Sequence, residues 1–240
     1  PPLGDMQEWG KRVIREHIER DFHPSGGYDE HSLQYTCDTT ISSMLTSACV
    51  LAARNGVELL DERASGMMRR TFAFYSALVL PDGTFPDIGD GGGGEARKFL
   101  EYGRDWFGSR EAGAVLVALD GPIRHGDRLP PLHLNDPLSG YAAARDGWDR
   151  GCSGFVLSNK NFTRHCGHNH LDMLSLVIWA NGEKWIGEPL ALPLYKFVGN
   201  DTPYNDVLRG TAGHNTVQIH GRPLTKKALF ESGRNEKQHV

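Results

Sequence analysis

Between Arg164 and Asp172 the chain reads Arg-His-Cys-Gly-His-Asn-His-Leu-Asp, and its chemistry is densest there. His168 and His170 stand two residues apart, so in an extended strand both rings leave the same face. Neighbouring imidazoles on one face disfavour joint protonation. That suits a neutral metal ligand or a base working near neutral pH. His214 opens a second apolar run, and Glu188 follows a hairpin signal. Two histidines and one carboxylate delivered from separate strand ends can hold zinc with a position left open. A lone His-x-His is common by chance, so by spacing alone solvated or hydrogen-bonded histidines are the commoner reading.

The elements that must position these groups differ between the two halves of the chain. Trp9, Val13, Ile14 and Ile18 suggest one buried helical face, broken by His23-Pro24-Ser25-Gly26-Gly27. A second helix is expected from Ser32 to Asn55, with Leu33, Cys37, Ile41, Met44, Leu45 and Ala48 on its apolar side and Gly56 as its left-handed stop. A third is expected from Leu59 to Leu80, ended by Pro81-Asp82-Gly83, and shorter ones over Glu95–Trp106 and Ser109–Leu119. The Gly91–Gly94 run reads as a loop and not a phosphate cradle, since no Gly-Lys-Ser/Thr follows. Prolines 122, 130, 131 and 137 mark a linker. Strands are expected at Gly140–Arg145, Gly154–Ser158, Met173–Ala180, Lys184–Ile186 and Asn215–Ile219, with Asn181-Gly182 as a two-residue hairpin turn. Helices followed by antiparallel strands make the class α+β, with a helical domain over 1–128 and a β-domain over 129–240.

Composition narrows the function classes. The chain has 240 residues, 39% hydrophobic and 23% charged, and a net charge of −4. That balance argues against nucleic acid as a partner, and no apolar stretch is long enough for membrane insertion. An acidic substrate stays open, because local basic pairs such as Arg69-Arg70 and Lys226-Lys227 can outweigh the total. Cys37, Cys49, Cys152 and Cys166 are too few and scattered for a disulfide framework. The opening Pro-Pro-Leu carries no signal-peptide pattern.

Several ordered motifs resemble those of heparinase II/III-like polysaccharide lyases. His168-Asn169-His170-Leu171-Asp172-Met173-Leu174-Ser175-Leu176 is similar to the family's His-x-His-x-Asp-x-Leu-Ser-Phe signature. Ser139-Gly140-Tyr141-Ala142 with Arg145 resembles the opening strand of its β-domain, and Asn181-Gly182 through Glu188-Pro189 the hairpin that delivers a metal carboxylate. Arg209-Gly210-Thr211-Ala212-Gly213-His214-Asn215-Thr216-Val217 is similar to its Arg-x-Thr-x-x-His-Asn-Thr-Val block. In the helical half, Gly26 to Ser32 with Tyr35 resembles an Asp-Gly-x-x-x-Glu-x-Ser-x-x-Tyr segment, and Pro86 to Asp90 a Pro-x-x-Gly-Asp loop.

The resemblance implies an incomplete α/α toroid followed by an antiparallel β-sandwich, with the site between them. It implies β-elimination on a uronate polymer of alginate or glycosaminoglycan type. The proton at C5 leaves, the 4-linked oxygen is expelled, and the substrate carboxylate must be neutralised meanwhile. By the same resemblance Tyr35 and His168 are catalytic and Tyr204 matches a second tyrosine. Glu30 and Arg209 would touch substrate, and His170, Glu188 and His214 would hold one zinc ion. Glu188 replaces a usual Asp. The family's upstream Asn or Asn-His has no match in residues 1–22, which hold only His17. The implied partner is an acidic polysaccharide, a homodimer is compatible, and the implied location is periplasmic or secreted. Two other readings compete. One is a metal-containing glycan-binding relative without catalysis. The other is a zinc hydrolase with Asp172 as base, for which no His-Glu-x-x-His is present.

Overall fold

The computed structural model describes residues 3–30, 32–91, 94–124, 126–159, 168, 170–188, 207 and 210–218. Its helices are α1 (Leu3–Asp21), a π-helix (Tyr35–Thr46), α2 (Ser47–Arg54), α3 (Glu62–Ser76), α4 (Arg97–Phe107) and α5 (Arg110–Asp120). Its strands are β1 (His133–Asp136), β2 (Tyr141–Arg145), β3 (Gly154–Ser158), β4 (Ser175–Ala180) and β5 (Glu183–Ile186). The strands form one antiparallel sheet in chain order, β1 to β5. The class is α+β.

Helix ends follow their local chemistry. Asp61 and Ser109 accept the amides of Ala64 and Ala112 and so start α3 and α5. Gly108, at φ 64°, closes α4. The α1 expectation needs correction. Ile18 is buried and Ile14 half-buried, but Trp9 and Val13 are exposed. Adjacent positions such as Val13 and Ile14 lie about 100° apart around a helix, so these four residues cannot share one face. The second helix also departs from expectation. Leu33, Cys37, Ile41 and Leu45 are buried at a strict spacing of four, whereas Met44 is 62% exposed. The chain takes the wider π turn there, and the hydroxyls of Ser42 and Thr46 donate to carbonyls five residues back, Cys37 and Ile41.

The hairpin at Asn181-Gly182 has positive φ at both residues, 53° and 79°, as a tight turn between twisted strands requires. β1 lies in the stretch that reads as a linker. Of the strand expected over Asn215–Ile219, residues 215–218 form no regular strand. They are tied to the sheet where the Leu176 amide donates to the Asn215 carbonyl at 3.2 Å. Ile219, like Tyr204, Arg209, Cys166 and Lys226-Lys227, lies outside the described residues. Among the described residues Cys37, Cys49 and Cys152 form no disulfide.

One core joins the halves. Phe72, Tyr75, Phe99 and Leu100 of the helices belong to the same cluster as Tyr141, Val156, Val177 and Trp179 of the sheet. Two polar ties cross the same boundary. Arg145 donates to the carbonyls of Ala77 and Val79, and Asp136 accepts from the Ser25 and Ser139 hydroxyls and the Leu138 amide. Burial alone would raise the Asp136 carboxyl, but bonds from Ser139, Ser25 and the backbone outweigh it and hold its pKa below the ordinary range. A depressed carboxyl stabilises the fold above pH ~4, and the benefit is lost as pH falls through the native value. Asp136→Asn is therefore expected to cost about 1 kcal/mol at pH 7. The gap to the unsubstituted protein should narrow below pH ~4, as read from urea midpoints at the two pH values.

Candidate active site

Six segments of the chain bring the site residues together. The segment after α1 carries Glu30, the start of the π-helix carries Tyr35, and the Pro86–Asp90 loop carries Asp90. The turn before β4 carries His168, His170 and Asp172. The chain after β5 and the short helical turn Thr211–Gly213 add Glu188 and His214.

His168 is the point where the two halves meet. Its ring stacks on Tyr35 with centroids 3.5 Å apart and planes within 7°. Its Nδ1 lies 3.1 Å from Glu30 Oε1. The residue sits at φ 56°, uncommon outside glycine, and its carbonyl accepts the Asp90 amide at 3.0 Å. That left-handed turn removes the extended geometry on which the expected same-face pairing of His168 and His170 depended. The two rings take different partners instead. His170 is buried and its Nε2 lies 2.6 Å from Asp90 Oδ1, while its ring centroid is 5.0 Å from that of His214.

His214 Nδ1 lies 2.6 Å from Glu188 Oε2. The other Glu188 oxygen accepts from the Ser175 hydroxyl and from the Asn215 amide at 3.1 Å. Asp172 is fully buried, and its Oδ2 accepts the Gly89 amide at 3.3 Å. His170, Asp172 and His214 each offer a ligand atom within 4.8 Å of the others. The converging trio therefore contains Asp172 where the sequence reading placed Glu188, and Glu188 contacts His214 from its own loop. Asp90, the partner of His170, was not singled out from the sequence. Its signal was the Pro86-Asp87-Ile88-Gly89-Asp90 loop, which places a carboxylate after a left-handed glycine (Gly89 φ 75°).

The tyrosines divide by environment. Burial, with help from the neighbouring Glu30 carboxylate, pushes Tyr28 up to about 12, and burial holds Tyr75 and Tyr141 well above 10. None of these three can take up a proton as phenolate near neutral pH. Tyr35 is only partly buried and is stacked on His168.

Residues 134–239 match the model of the family described as heparinase II/III-like, C-terminal. That stretch, somewhat under half of the chain, is similar to the C-terminal domain of heparinase II/III-like proteins. No curated protein sequence matches it. Among solved structures, a heparinase III gene product superposes with TM-score 0.74 at 20% identity, covering 90% of this chain and 34% of that one. A crystal structure of heparinase III gives 0.73 at 18%, covering 90% and 35%. The heparan sulfate lyase HepC from Pedobacter heparinus gives 0.72 at 18%, covering 91% and 34%. The chain thus spans about a third of the length of the heparinase III structures it matches, and the likeness is one of fold.

Proposed function

We propose that this chain carries the catalytic centre of a polysaccharide lyase that cleaves a uronic-acid-containing glycan by β-elimination, with a glycosaminoglycan as the favoured substrate class. One observation carries the reading: Tyr35 from the helical half and His168 from the sheet half stack at 3.5 Å, with Glu30 on the histidine. A base and an acid must both reach C5 and the 4-linked oxygen, and two adjacent side chains can serve one sugar ring from the same side. In this reading His168 removes the C5 proton or binds the uronate carboxylate, and Glu30 fixes which ring nitrogen carries hydrogen. Tyr35 completes proton transfer to the leaving oxygen. Arg209 would add a substrate contact, and Tyr204 would serve as a second catalytic tyrosine. A polymer substrate fits a periplasmic or secreted location.

The donor set fits a metal. His170 Nδ1 is buried with no hydrogen-bond partner among the described residues, an arrangement that costs free energy unless another ligand is supplied. His170, His214 and one or both of Asp172 and Glu188 would hold zinc, whose charge would order the sheet side of the cleft. Stripping the metal with a chelator should lower the melting temperature by about 5 °C, and His170→Ala should lose stoichiometric zinc, by elemental analysis. A fully loaded His170→Ala protein would remove this metal assignment.

The functional test is the ultraviolet absorbance of unsaturated uronate released from heparan sulfate, chondroitin, hyaluronan and alginate by the full-length protein. A signal on one polymer that Tyr35→Phe abolishes supports the lyase. Zinc-loaded protein silent on every polymer, yet binding one of them, points to the non-catalytic relative.

A further inference from the structure

Among the described residues outside this site, a cationic cavity of about 560 Å³ lies between α3 and the α4–α5 junction. Arg69 and Arg70 reach it from α3, Arg110 from the first turn of α5, and Arg128 from the segment before β1. Glu111 is the single acid in its lining, and it pairs with Arg128 at 2.9 Å. Four guanidinium groups against one carboxylate leave a surplus of three positive charges, in a chain whose net charge is −4.

Pairing with Glu111 accounts for Arg128 alone. All four arginines are exposed, and like charges gathered around one hollow repel unless an anion sits among them. The positive end of α5 adds to the same field, since Ser109 caps that helix at the cavity's edge. Guanidinium groups suit planar or tetrahedral oxyanions, which they grip with paired N–H donors. The cavity is wide enough for a saccharide unit rather than a lone ion. It also lies close to the catalytic loop: the backbone of Gly26, four residues before Glu30, packs directly on the Arg70 carbonyl.

We infer that this arginine cavity is a second binding site for the sulfate and carboxylate groups of an acidic glycan chain, separate from the Tyr35–His168 centre. The identity of the glycan rests on the function proposed above; the anionic character of the ligand rests on the cavity. Such a site would hold a long chain between cleavage events and give little to a short one.

The test uses the full-length protein carrying Arg69→Ser, Arg110→Ser and Arg128→Ser together. Binding of long heparan sulfate is measured by calorimetry in a Tyr35→Phe background, so that the polymer is not consumed. Loss of three exposed ionic contacts should raise Kd on the order of tenfold and flatten its salt dependence. In the Tyr35-containing protein the same triple change should leave turnover of a tetrasaccharide unaltered. An unchanged Kd and salt slope would overturn the inference. So would competition by inorganic phosphate as strong as that by the polymer, which would mark a small-anion site. The binding comparison needs no turnover, so it decides the cavity independently, while product absorbance from the unsubstituted protein decides the lyase reading.

Discussion

Replacing His168 by alanine in the full-length protein is expected to lower kcat on a uronate polymer by about 1,000-fold while moving the melting temperature by less than about 2 °C. The two halves of that result come from where the ring sits. Its side chain is 37% exposed, so little apolar burial is lost on truncation. What disappears is the group held between the Tyr35 face and the Glu30 carboxylate. Glu30→Gln keeps a hydrogen-bonding partner for Nδ1 and removes only the charge, so its loss should be smaller, on the order of tenfold to a hundredfold. Steady-state kinetics with calorimetric melting on the same preparations separates the cases. A His168→Ala protein with near-normal kcat would remove His168 from the chemistry.

Arg145→Met should be the most damaging single change to the fold, at about 3–5 kcal/mol, or a drop near 10 °C in melting temperature. Arg145 is 6% exposed, and its guanidinium lies 3.8 Å from the Trp148 ring centre and 5.2 Å from that of Trp179. It donates at 2.9 Å to both Ala77 and Val79 carbonyls, where the chain leaves α3. Burial lowers its pKa to about 10, which still leaves it charged at neutral pH. Methionine replaces the stem but leaves both carbonyls without their donor and ends the stacking on two indoles. Arg145→Lys keeps the charge but cannot reproduce the planar fork, so it should recover only part of the loss. Thermal unfolding of the three proteins orders them.

Much of the fold was legible because its signals are local. Asn181-Gly182 makes the turn its dipeptide requires, and the short β-type runs expected at Gly140–Arg145 and Gly154–Ser158 form β2 and β3. The failures occurred where tertiary context decides. Trp9 and Val13 have apolar side chains but face away from α3, and hydrophobicity does not report a direction. β1 sits among prolines and was hidden, because its partner β2, not its own composition, makes it a strand. Within the site, the motifs found His168, His170, His214 and Glu188, but spacing could not foresee that a left-handed His168 would send its ring to Tyr35. Nor could it tell that Asp172 would converge with the two imidazoles, or that Asp90 would meet His170, since both depend on how the loop at Gly89 packs.

The most direct test of the central claim is a mass balance on the products formed by the full-length protein from a size-defined heparan sulfate oligosaccharide. Elimination breaks the chain without consuming water, so the fragment masses should sum to the substrate mass, with the new non-reducing end unsaturated and absorbing in the ultraviolet. Fragments that sum to the substrate plus one water, with no absorbance gained, would show hydrolysis and contradict the assignment of Tyr35 and His168 to β-elimination.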